Sequence, residues 1–324
     1  MMETLFAIIV IFLIVLFAAN LGLARLAEMR NPPIGKFLEC DGVRLHFIDR
    51  GDPGAFIDRG DPGAPCVVLF HGNGGMIQDF TISGLVDVLA RRNRVLCFDR
   101  PGFGYSERPR LRIWTATAQG ALFANALDQL GVHNPVLLGH SWGTLVALAL
   151  AIRNDRRIAG LVLASGYYFA TPRWDVWVAS SPAIPILGDI FRYTIAPIIS
   201  WPIIPGMLRK LFAPRAVPEE FTENFPVSLA VRPKQLRATA EESALLVPAA
   251  AGFQSRYSNL RCPVHIFHGT QDKLIEAEQA RRLERALPHS LLHLVDGAGH
   301  MVTYADTKAI AQAVAELNAG SEQQ

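Results

Sequence analysis

The 324-residue sequence is poor in cysteine and in charge, and each shortage excludes a class of protein. Its four cysteines form no CxxC pair and no metal-ligand spacing, so neither a disulfide framework nor a zinc site is supported. Charged residues make up 19% of the chain and nearly cancel, and no basic stripe interleaved with aromatics occurs, which argues against a nucleic-acid partner. No glycine-rich phosphate loop is present to support a nucleotide cofactor.

A long apolar run stands at the N-terminus. Leu5–Leu23 spans nineteen residues with Asn20 as its one polar side chain, and a helix of this length can cross a bilayer. The rival interpretation, a cleaved signal peptide, expects basic residues before the run, and the leader here is Met-Met-Glu-Thr. We therefore expect residues 1–24 to be a retained single-pass anchor in the lipid bilayer. Basic residues after the run predict a cytoplasmic location for the rest of the chain by the positive-inside rule, namely Arg25, Arg30 and Lys36.

A nine-residue segment, FIDRGDPGA, occurs twice in succession, as Phe47–Ala55 and Phe56–Ala64. Before it, Lys36–Cys40 and Val43–Arg50 flank an Asp-Gly pair, which predicts a β-hairpin. One Asp-Pro-Gly turn suffices to join the second strand to the next, so one copy is expected to complete the strand and the other to lie in a loop. Which copy forms the strand is left open, and we expect no catalytic role for the extra one.

Beyond the repeat, apolar runs alternate with helical patterns. Strands are predicted at Cys66–Phe70, Val95–Asp99, Pro135–Leu138, Ile158–Ala164, Val264–His268 and Leu291–Val295. Helices are predicted at Asp79–Arg91, Ala116–Leu130, Thr144–Arg153, Ala277–Ala286 and Thr307–Leu317. Apolar runs of this length suit parallel strands buried on both faces, so the sequence predicts an α/β fold whose mostly parallel sheet is flanked by helices.

The alternation stops between residues 166 and 261, where the chain is rich in tryptophan and proline. A loop of that length without structure of its own is uncommon in a folded domain, so this stretch is predicted to form an inserted cap of short helices. The expected organisation is a transmembrane anchor over 1–24, a core divided between 25–165 and 262–324, and a helical cap over 166–261.

The strongest motif is Gly139-His140-Ser141-Trp142-Gly143, which follows the apolar strand PVLL and opens the helix TLVALALA. This is the G-x-S-x-G pattern in its strand–turn–helix context, where side chains beside the serine would clash with the neighbouring strand or helix. Ser141 stands clear of the backbone at a helix N-terminus, which favours developing negative charge. We therefore predict that Ser141 is a nucleophile.

A glycine-rich loop, HGNGG at residues 71–75, directly follows the strand VVLF. A tetrahedral intermediate requires two preorganised N–H donors for its oxyanion. The backbone N–H groups of Asn73 and Trp142 are the predicted donors. A turn that is merely rich in glycine is the alternative interpretation.

An acid and a base are expected after two later strands, in the segments HGTQD and GAGH. A serine becomes nucleophilic when an imidazole takes its proton and a carboxylate orients that imidazole. His300 is the predicted base and Asp272 the predicted acid, in the chain order Ser, Asp, His expected of groups that follow successive strands. Asp296 and Asp175 remain alternatives for the acid. The histidines that flank the motifs are predicted to be structural: His71, His140 and His268.

The segments HGNGG, FDRPGFGYSERP, GHSWGT, HGTQD and GAGHMV, in this order, resemble those of the α/β-hydrolase superfamily. The resemblance covers roughly Lys36 to Asn318, with the cap only loosely similar. It implies an eight-stranded sheet with an antiparallel second strand, and neither a metal nor another cofactor. In that family the segment matching Asp99–Ser106 shapes a loop near the active site. Members with dehalogenase or epoxide hydrolase activity carry aspartate where this chain has Ser141, so those reactions are disfavoured.

The function expected from these features is hydrolysis of a carboxylic ester with an apolar acyl group, through an acyl-enzyme on Ser141. The apolar acyl group is inferred from the cap, whose tryptophans, prolines and isoleucines would roof a substrate pocket. The same residues also suit C–C bond hydrolysis of dienone-type acids, and the Ser-Trp-Gly turn looks like that of proline iminopeptidases. A non-catalytic binding module of the same fold is the alternative from another class. None of these features indicates the oligomeric state.

Overall fold

The computed structural model describes residues 1–51, 65–153 and 158–321. Within them eight strands form one sheet: β1 (Lys36–Cys40), β2 (Val43–Arg50), β3 (Cys66–Phe70), β4 (Arg94–Phe98), β5 (Val136–His140), β6 (Gly160–Ala164), β7 (Val264–Gly269) and β8 (Ser290–Val295). Their order is β1-β2-β4-β3-β5-β6-β7-β8, with β2 antiparallel to both neighbours and β3 to β8 mutually parallel. The predicted α/β fold with a mostly parallel eight-stranded sheet is confirmed.

The same residues contain fourteen α-helices. They are α1 (Met2–Arg30), α2 (Gln78–Ile82), α3 (Leu85–Ala90), α4 (Ala116–Gln129), α5 (Trp142–Arg153), α6 (Trp174–Ala179), α7 (Leu187–Tyr193), α8 (Ala196–Phe212), α9 (Glu219–Asn224), α10 (Val227–Ala230), α11 (Pro233–Gln254), α12 (Glu278–Ala286), α13 (Val302–Ala305) and α14 (Thr307–Ser321). The prediction of a single helix at Asp79–Arg91 is wrong, because two helices, α2 and α3, occupy this stretch. Gly84, with φ +73°, separates α2 from α3, because a left-handed residue ends one helix before the next begins.

Both faces of the sheet are apolar and covered. On β3, Val68 and Phe70 pack with residues of α4 and α5, whereas Val67 and Leu69 pack with residues of α3 and α14. Alternate side chains of a strand point to opposite faces, so a strand covered on both sides needs apolar residues at every position. This burial explains the unbroken apolar runs in the sequence.

The stretch between β6 and β7 is helical, but the prediction of short helices alone is wrong. α8 has 17 residues and α11 has 22, and prolines lie inside both helices, at Pro202, Pro205 and Pro248. An interior proline destabilises a helix by about 3 kcal/mol, which is why the prolines in this stretch of the sequence suggested that the helices end there. In α11, buried residues on both sides of the proline, from Ala238 to Phe253, hold the helix against the core. The division into domains stays a prediction.

The first copy of the repeat completes β2. Phe47 lies opposite Phe98 of β4, and Arg50 lies opposite Val95. The second copy, Phe56–Ala64, lies outside the described residues, so the expectation that it has no catalytic role stays a prediction.

α1 is the one helix in the described chain that is long and apolar enough to cross a membrane, by its length and composition. Its first half is almost entirely exposed, whereas Asn20 and Ala27 in its second half are buried. The helix therefore projects from the body of the protein at its N-terminal end.

Candidate active site

Ser141 lies at the sharp turn between β5 and α5. Its φ is +51°, a left-handed conformation that few residues other than glycine adopt, and its N–H donates to the Ala164 carbonyl of β6 at 2.8 Å. A Cβ on Gly139 would overlap the Gly143 backbone, and a Cβ on Gly143 would overlap the Phe70 carbonyl oxygen. The two glycines of the motif are therefore what allows strand, helix and serine to pack this closely.

Ser141, His300 and Asp272 form one hydrogen-bonded chain. His300 Nε2 lies 2.9 Å from Ser141 Oγ, and His300 Nδ1 lies 2.8 Å from Asp272 Oδ2. The three residues follow β5, β7 and β8, whose carboxyl ends meet at one edge of the parallel sheet. The structure thus brings together the three residues that the sequence singled out.

Asp272 is a fixed, charged carboxylate. Its Oδ1 accepts hydrogen bonds from the Leu274 N–H at 2.8 Å and the Ile275 N–H at 3.1 Å. Burial alone would raise the pKa of Asp272, but His300, His268 and the Ile275 N–H outweigh burial and lower the pKa to about 2. The carboxylate is therefore ionised throughout the neutral range and faces His300 Nδ1.

The two alternative carboxylates have other partners. Asp296 Oδ1 accepts a hydrogen bond from the Thr270 hydroxyl at 3.1 Å. Asp175, on α6, accepts two hydrogen bonds from Arg173, at 2.8 and 2.6 Å. Among the described residues, Asp272 is the carboxylate that bonds the His300 imidazole.

The three histidines predicted to be structural each bond a backbone carbonyl. Their ring nitrogens lie within 3.0 Å of carbonyl oxygens, His71 with Gly72, His140 with His300 and His268 with Ile275. Burial lowers the pKa of all three, to about 3 for His140. Because these imidazoles are neutral, the bonded ring nitrogen in each carries the proton and donates it to the carbonyl.

The glycine-rich loop after β3 borders the same space as Ser141. Asn73 Nδ2 donates to the Thr239 carbonyl at 3.1 Å and to Ser243 Oγ at 3.2 Å, both on α11. In the described part of the chain, the backbone N–H groups of Asn73 and Trp142 have no protein acceptor. Two free donors beside a serine, one of them at the first residue of α5, are suited to binding an oxyanion.

A buried ion pair that motif reasoning missed supports this loop. Arg100 Nε donates to the His71 carbonyl at 2.7 Å, and Arg100 Nη2 donates to the Gly72 carbonyl at 2.9 Å. The guanidinium also bonds both carboxylate oxygens of Glu242 on α11, and the two side chains are fully buried. The Glu242 carbonyl accepts from Trp142 Nε1 at 2.9 Å. One pair thereby connects the loop, the serine turn and α11.

A cavity of about 350 Å³ lies over Ser141 and His300, between the core and the helices that follow β6. Its lining is mostly apolar, and most of the apolar side chains come from α6, α8, α9, α10 and α11, including Val176, Ile204, Met207, Leu208, Phe221, Val227 and Leu246. A cavity of this volume lies in the range of small-molecule sites. The geometry thus places a serine hydroxyl hydrogen-bonded to an imidazole beside an apolar space.

The described residues include no group of three histidine, cysteine, aspartate or glutamate side chains that could hold a metal ion. The four cysteines are free thiols. Burial raises the pKa of Cys66 to about 12, so this thiol is protonated at neutral pH and is a poor metal ligand or nucleophile.

Asp79 of α2 is a buried carboxyl in the wall of the cavity, and its position was missed from the sequence. Burial is the largest influence on its pKa and raises it to about 7. Asp99 adds to this rise, whereas a backbone hydrogen bond at Met76 and the charge of Arg100 oppose it. A polar residue at the start of a predicted helix is ordinary, so no sequence signal indicated this environment.

Replacing Asp79 with asparagine is expected to stabilise the protein by an amount that grows as pH rises from about 4 and levels off above about 7. A carboxyl whose folded pKa is raised favours folding while it is protonated, and this contribution is lost as pH rises through the folded pKa. At about 1.4 kcal/mol per pKa unit, ionisation in the folded state costs up to about 4 kcal/mol. Melting temperatures of both proteins, measured from about pH 5 to about pH 9, test this expectation.

Asp87→Asn is the matched control, because Asp87 is an exposed carboxylate on the neighbouring helix α3. Its effect on the melting temperature should not grow with pH. An Asp79→Asn effect that is equal at both ends of the range would contradict a buried carboxyl that titrates near neutrality.

Comparison with known proteins identifies related sequences. The model of a family described as the alpha/beta hydrolase fold matches residues 65–306. Among curated proteins, the 2-hydroxy-6-oxo-2,4-heptadienoate hydrolase of Pseudomonas putida is 28% identical over 283 residues, which cover 84% of this chain and 91% of that protein.

Solved structures share the architecture. A meta-cleavage product hydrolase from Pseudomonas fluorescens is 18% identical, with a TM-score of 0.71 over 90% of this chain and 100% of that one. A membrane phospholipase A described as a bacterial virulence factor is 16% identical, with a TM-score of 0.67 over 100% of both chains. Identities this low indicate a shared fold and no more.

Proposed function

The chain belongs to the α/β-hydrolase fold family, and from this membership and the geometry at Ser141 we propose that it is a serine hydrolase cleaving a carboxylic ester with an apolar acyl group. In this proposal Ser141 is the nucleophile and His300 the general base. Asp272 orients the imidazole, and the backbone N–H groups of Asn73 and Trp142 bind the oxyanion.

The proposed reaction has two halves. Ser141 Oγ attacks the ester carbonyl carbon while its proton passes to His300 Nε2, 2.9 Å away. The oxyanion intermediate then collapses, and His300 gives the proton to the departing alkoxide, leaving an acyl group on Ser141. Water attacks this acyl-enzyme with His300 again as base, which releases the acid and restores the serine hydroxyl. The positive charge that appears on His300 in each half lies beside the ionised Asp272.

The observation that carries the ester proposal is the charge of the cavity. Among the described residues that line it, Arg173 is the one lysine or arginine, and Asp175 binds its guanidinium through two hydrogen bonds. His140 is neutral, since burial lowers its pKa to about 3. A buried carboxylate needs a charged or hydrogen-bonding partner, so this cavity favours a neutral acyl chain over an acid.

C–C bond hydrolysis is the second candidate, and the relatives favour it. The Pseudomonas putida relative is named as a hydrolase of a heptadienoate, which is a carboxylic acid. A serine activated by histidine also serves that chemistry. The two candidates differ in whether the substrate brings a carboxylate into the cavity.

We also propose that α1 is retained as a membrane anchor, with the rest of the chain in the cytoplasm. Asn20 Nδ2 donates to the carbonyls of Tyr193 and Thr194 at 2.9 and 2.5 Å, and Glu28 pairs with Arg232 at 2.6 Å. A helix that is cleaved from the mature protein has no need of such contacts. They support retention of the segment.

On a series of p-nitrophenyl esters, kcat/KM is expected to rise by about fourfold for each added methylene until the acyl chain fills the cavity. The reason is that each buried methylene contributes about 0.8 kcal/mol. Release of p-nitrophenol by the purified full-length protein in detergent measures the rate. A 2-hydroxy-6-oxo dienoate, assayed with the same enzyme preparation, should be a poorer substrate than the longer esters.

A higher kcat/KM for the dienoate than for every ester would establish the C–C hydrolase instead. Turnover of neither compound, together with no labelling of Ser141 by a fluorophosphonate, would favour the non-catalytic binding module.

A further inference from the structure

The helices that cover the cavity expose an extensive apolar surface. Thirteen large apolar side chains between Trp174 and Met207 are exposed, and we call this set the apolar cap face. Trp174 and Trp177 are 80% and 79% exposed, and Ile186 is 73% exposed. In the rest of the described chain beyond α1, five such side chains are exposed and scattered. A concentration of this kind marks an interaction surface.

The apolar cap face adjoins the part of α1 that would lie in a membrane. Leu5–Leu23 has nineteen residues, which at about 1.5 Å each span about 28 Å, close to the hydrocarbon core of a bilayer at about 30 Å. The Phe17 and Tyr193 rings are 5.4 Å apart, and Asn20 bonds the Tyr193 and Thr194 carbonyls. Asn20 precedes Leu23 by three residues, or about 5 Å along the helix. Tyr193 and Thr194 therefore sit at the level of the acyl–headgroup boundary.

α8 begins directly after this contact and carries much of the apolar cap face. Trp201 is 50% exposed and Ile203 is 59% exposed. Tryptophan is enriched at membrane–water boundaries, and a helix that lies in the boundary buries its apolar side by about 5–10 Å. The position of α1 thus places the start of α8 at the membrane–water boundary, and the exposed tryptophan and isoleucine of α8 suit that position.

The cavity over Ser141 opens onto the same surface. Among the described residues that line it, Asp175 and Ala179 of α6 and Met207 of α8 are exposed. The opening therefore lies between α6 and α8. The opposite side of α8 faces inward, with Ile204, Leu208 and Leu211 in the cavity wall at helical spacing. If a bilayer covered this face, a molecule leaving it between α6 and α8 would enter the cavity directly.

We infer that the apolar cap face docks on the bilayer that α1 spans, and that the substrate is a long-chain acyl ester resident in that bilayer, which enters the Ser141 cavity between α6 and α8. This inference rests on the proposed ester hydrolysis and anchor and adds the substrate class and its route. The bilayer is the occupant of the face because α1 brings it to the edge of α8. A second copy of the chain or a soluble partner has no comparable contact to position it.

A variant with Trp174→Gln, Trp177→Gln and Ile203→Gln tests the route. None of the three side chains lines the cavity. The full-length protein is reconstituted in vesicles of dioleoylphosphatidylcholine and dioleoylphosphatidylglycerol, and its hydrolysis of methylumbelliferyl oleate in the vesicles is compared with that of methylumbelliferyl butyrate in water. Because docking is weakened and the site is not, oleate turnover should fall by about tenfold and butyrate turnover should stay within about twofold.

The matched control is Leu291→Gln with Leu294→Gln. It removes exposed apolar side chains from β8, an edge strand of the sheet that is not part of the apolar cap face. Both esters should then be hydrolysed as by the unchanged protein. If the cap variant loses neither activity, or loses both equally, the inferred route is wrong while ester hydrolysis stands. If the unchanged protein hydrolyses neither ester, the proposed function itself fails.

Tryptophan fluorescence tests docking without reference to turnover. Trp114 and Trp142 are 1% and 2% exposed, so quenching by brominated phosphatidylcholine should come from Trp174, Trp177 and Trp201. The quenching should disappear when those three are replaced by phenylalanine. An absence of quenching in the unchanged protein, with α1 inserted, would overturn the inference. Protection of these tryptophans from aqueous acrylamide in that case would indicate a second copy or another protein on the face.

Discussion

Replacing Ser141 with alanine is expected to leave the fold intact and to lower ester turnover by a factor on the order of 10⁶, as removal of the nucleophile does in comparable serine hydrolases. Alanine has no hydroxyl to meet His300 Nε2 at 2.9 Å, so no acyl-enzyme can form on this residue. The hydrogen bond from the residue 141 N–H to the Ala164 carbonyl and the φ of +51° involve only the backbone, so alanine can adopt both as serine does. Ester turnover, fluorophosphonate labelling and circular dichroism measure the three parts of this expectation.

Ser165→Ala is the matched control for the loss of a serine hydroxyl. Ser165 follows β6 directly, has φ +50° and is fully buried, and its hydroxyl has no partner among the described residues. Its replacement should leave turnover within about twofold. Retention of more than a few per cent of turnover in the Ser141 variant would reject the assignment of the nucleophile.

The parts of the site that the sequence predicted are those whose geometry is set locally. The serine turn needs glycine at Gly139 and Gly143, and both lie within two residues of Ser141, so a five-residue motif carries the whole constraint. Asp272 and His300 each follow an apolar run that forms a strand. Because parallel strands end at one edge of a sheet, the alternation of strands and helices was enough to bring these loops together.

Features that depend on contacts between distant segments could not be predicted. Glu242 stands 142 positions from Arg100 and belongs to no motif, so their pairing emerges only from the packing of α11 on the core. Asp79 stands at the start of a predicted helix, and its burial beside Asp99 and Arg100 depends on packing between separate segments. The length of α11 was missed because Pro248 signals a break locally, whereas burial on both sides of it favours a continuous helix.

Replacing Asp272 with asparagine is expected to lower turnover by about 10⁴ with little change in fold. The asparagine Oδ1 can keep the hydrogen bonds from the Leu274 and Ile275 N–H groups, at 2.8 and 3.1 Å. Its NH₂ group then replaces Oδ2 opposite His300 Nδ1. His300 Nδ1 must then accept a hydrogen bond from this NH₂ group, so the imidazole proton moves to Nε2. His300 Nε2 then faces Ser141 as a donor and cannot take the proton of the serine hydroxyl. Turnover of a short ester in detergent and the melting temperature measure this effect.

The same substitution at the two alternative acids decides between the three carboxylates. Asp175→Asn weakens a pair with Arg173 at the mouth of the cavity, and Asp296→Asn keeps an oxygen that can accept from Thr270. Neither change alters the tautomer of His300, so both variants should retain turnover within a few-fold of the unchanged protein. A 10⁴-fold loss in the Asp175 variant, with Asp272→Asn nearly active, would place the functional acid on α6 and would make the observed His300–Asp272 bond a structural one.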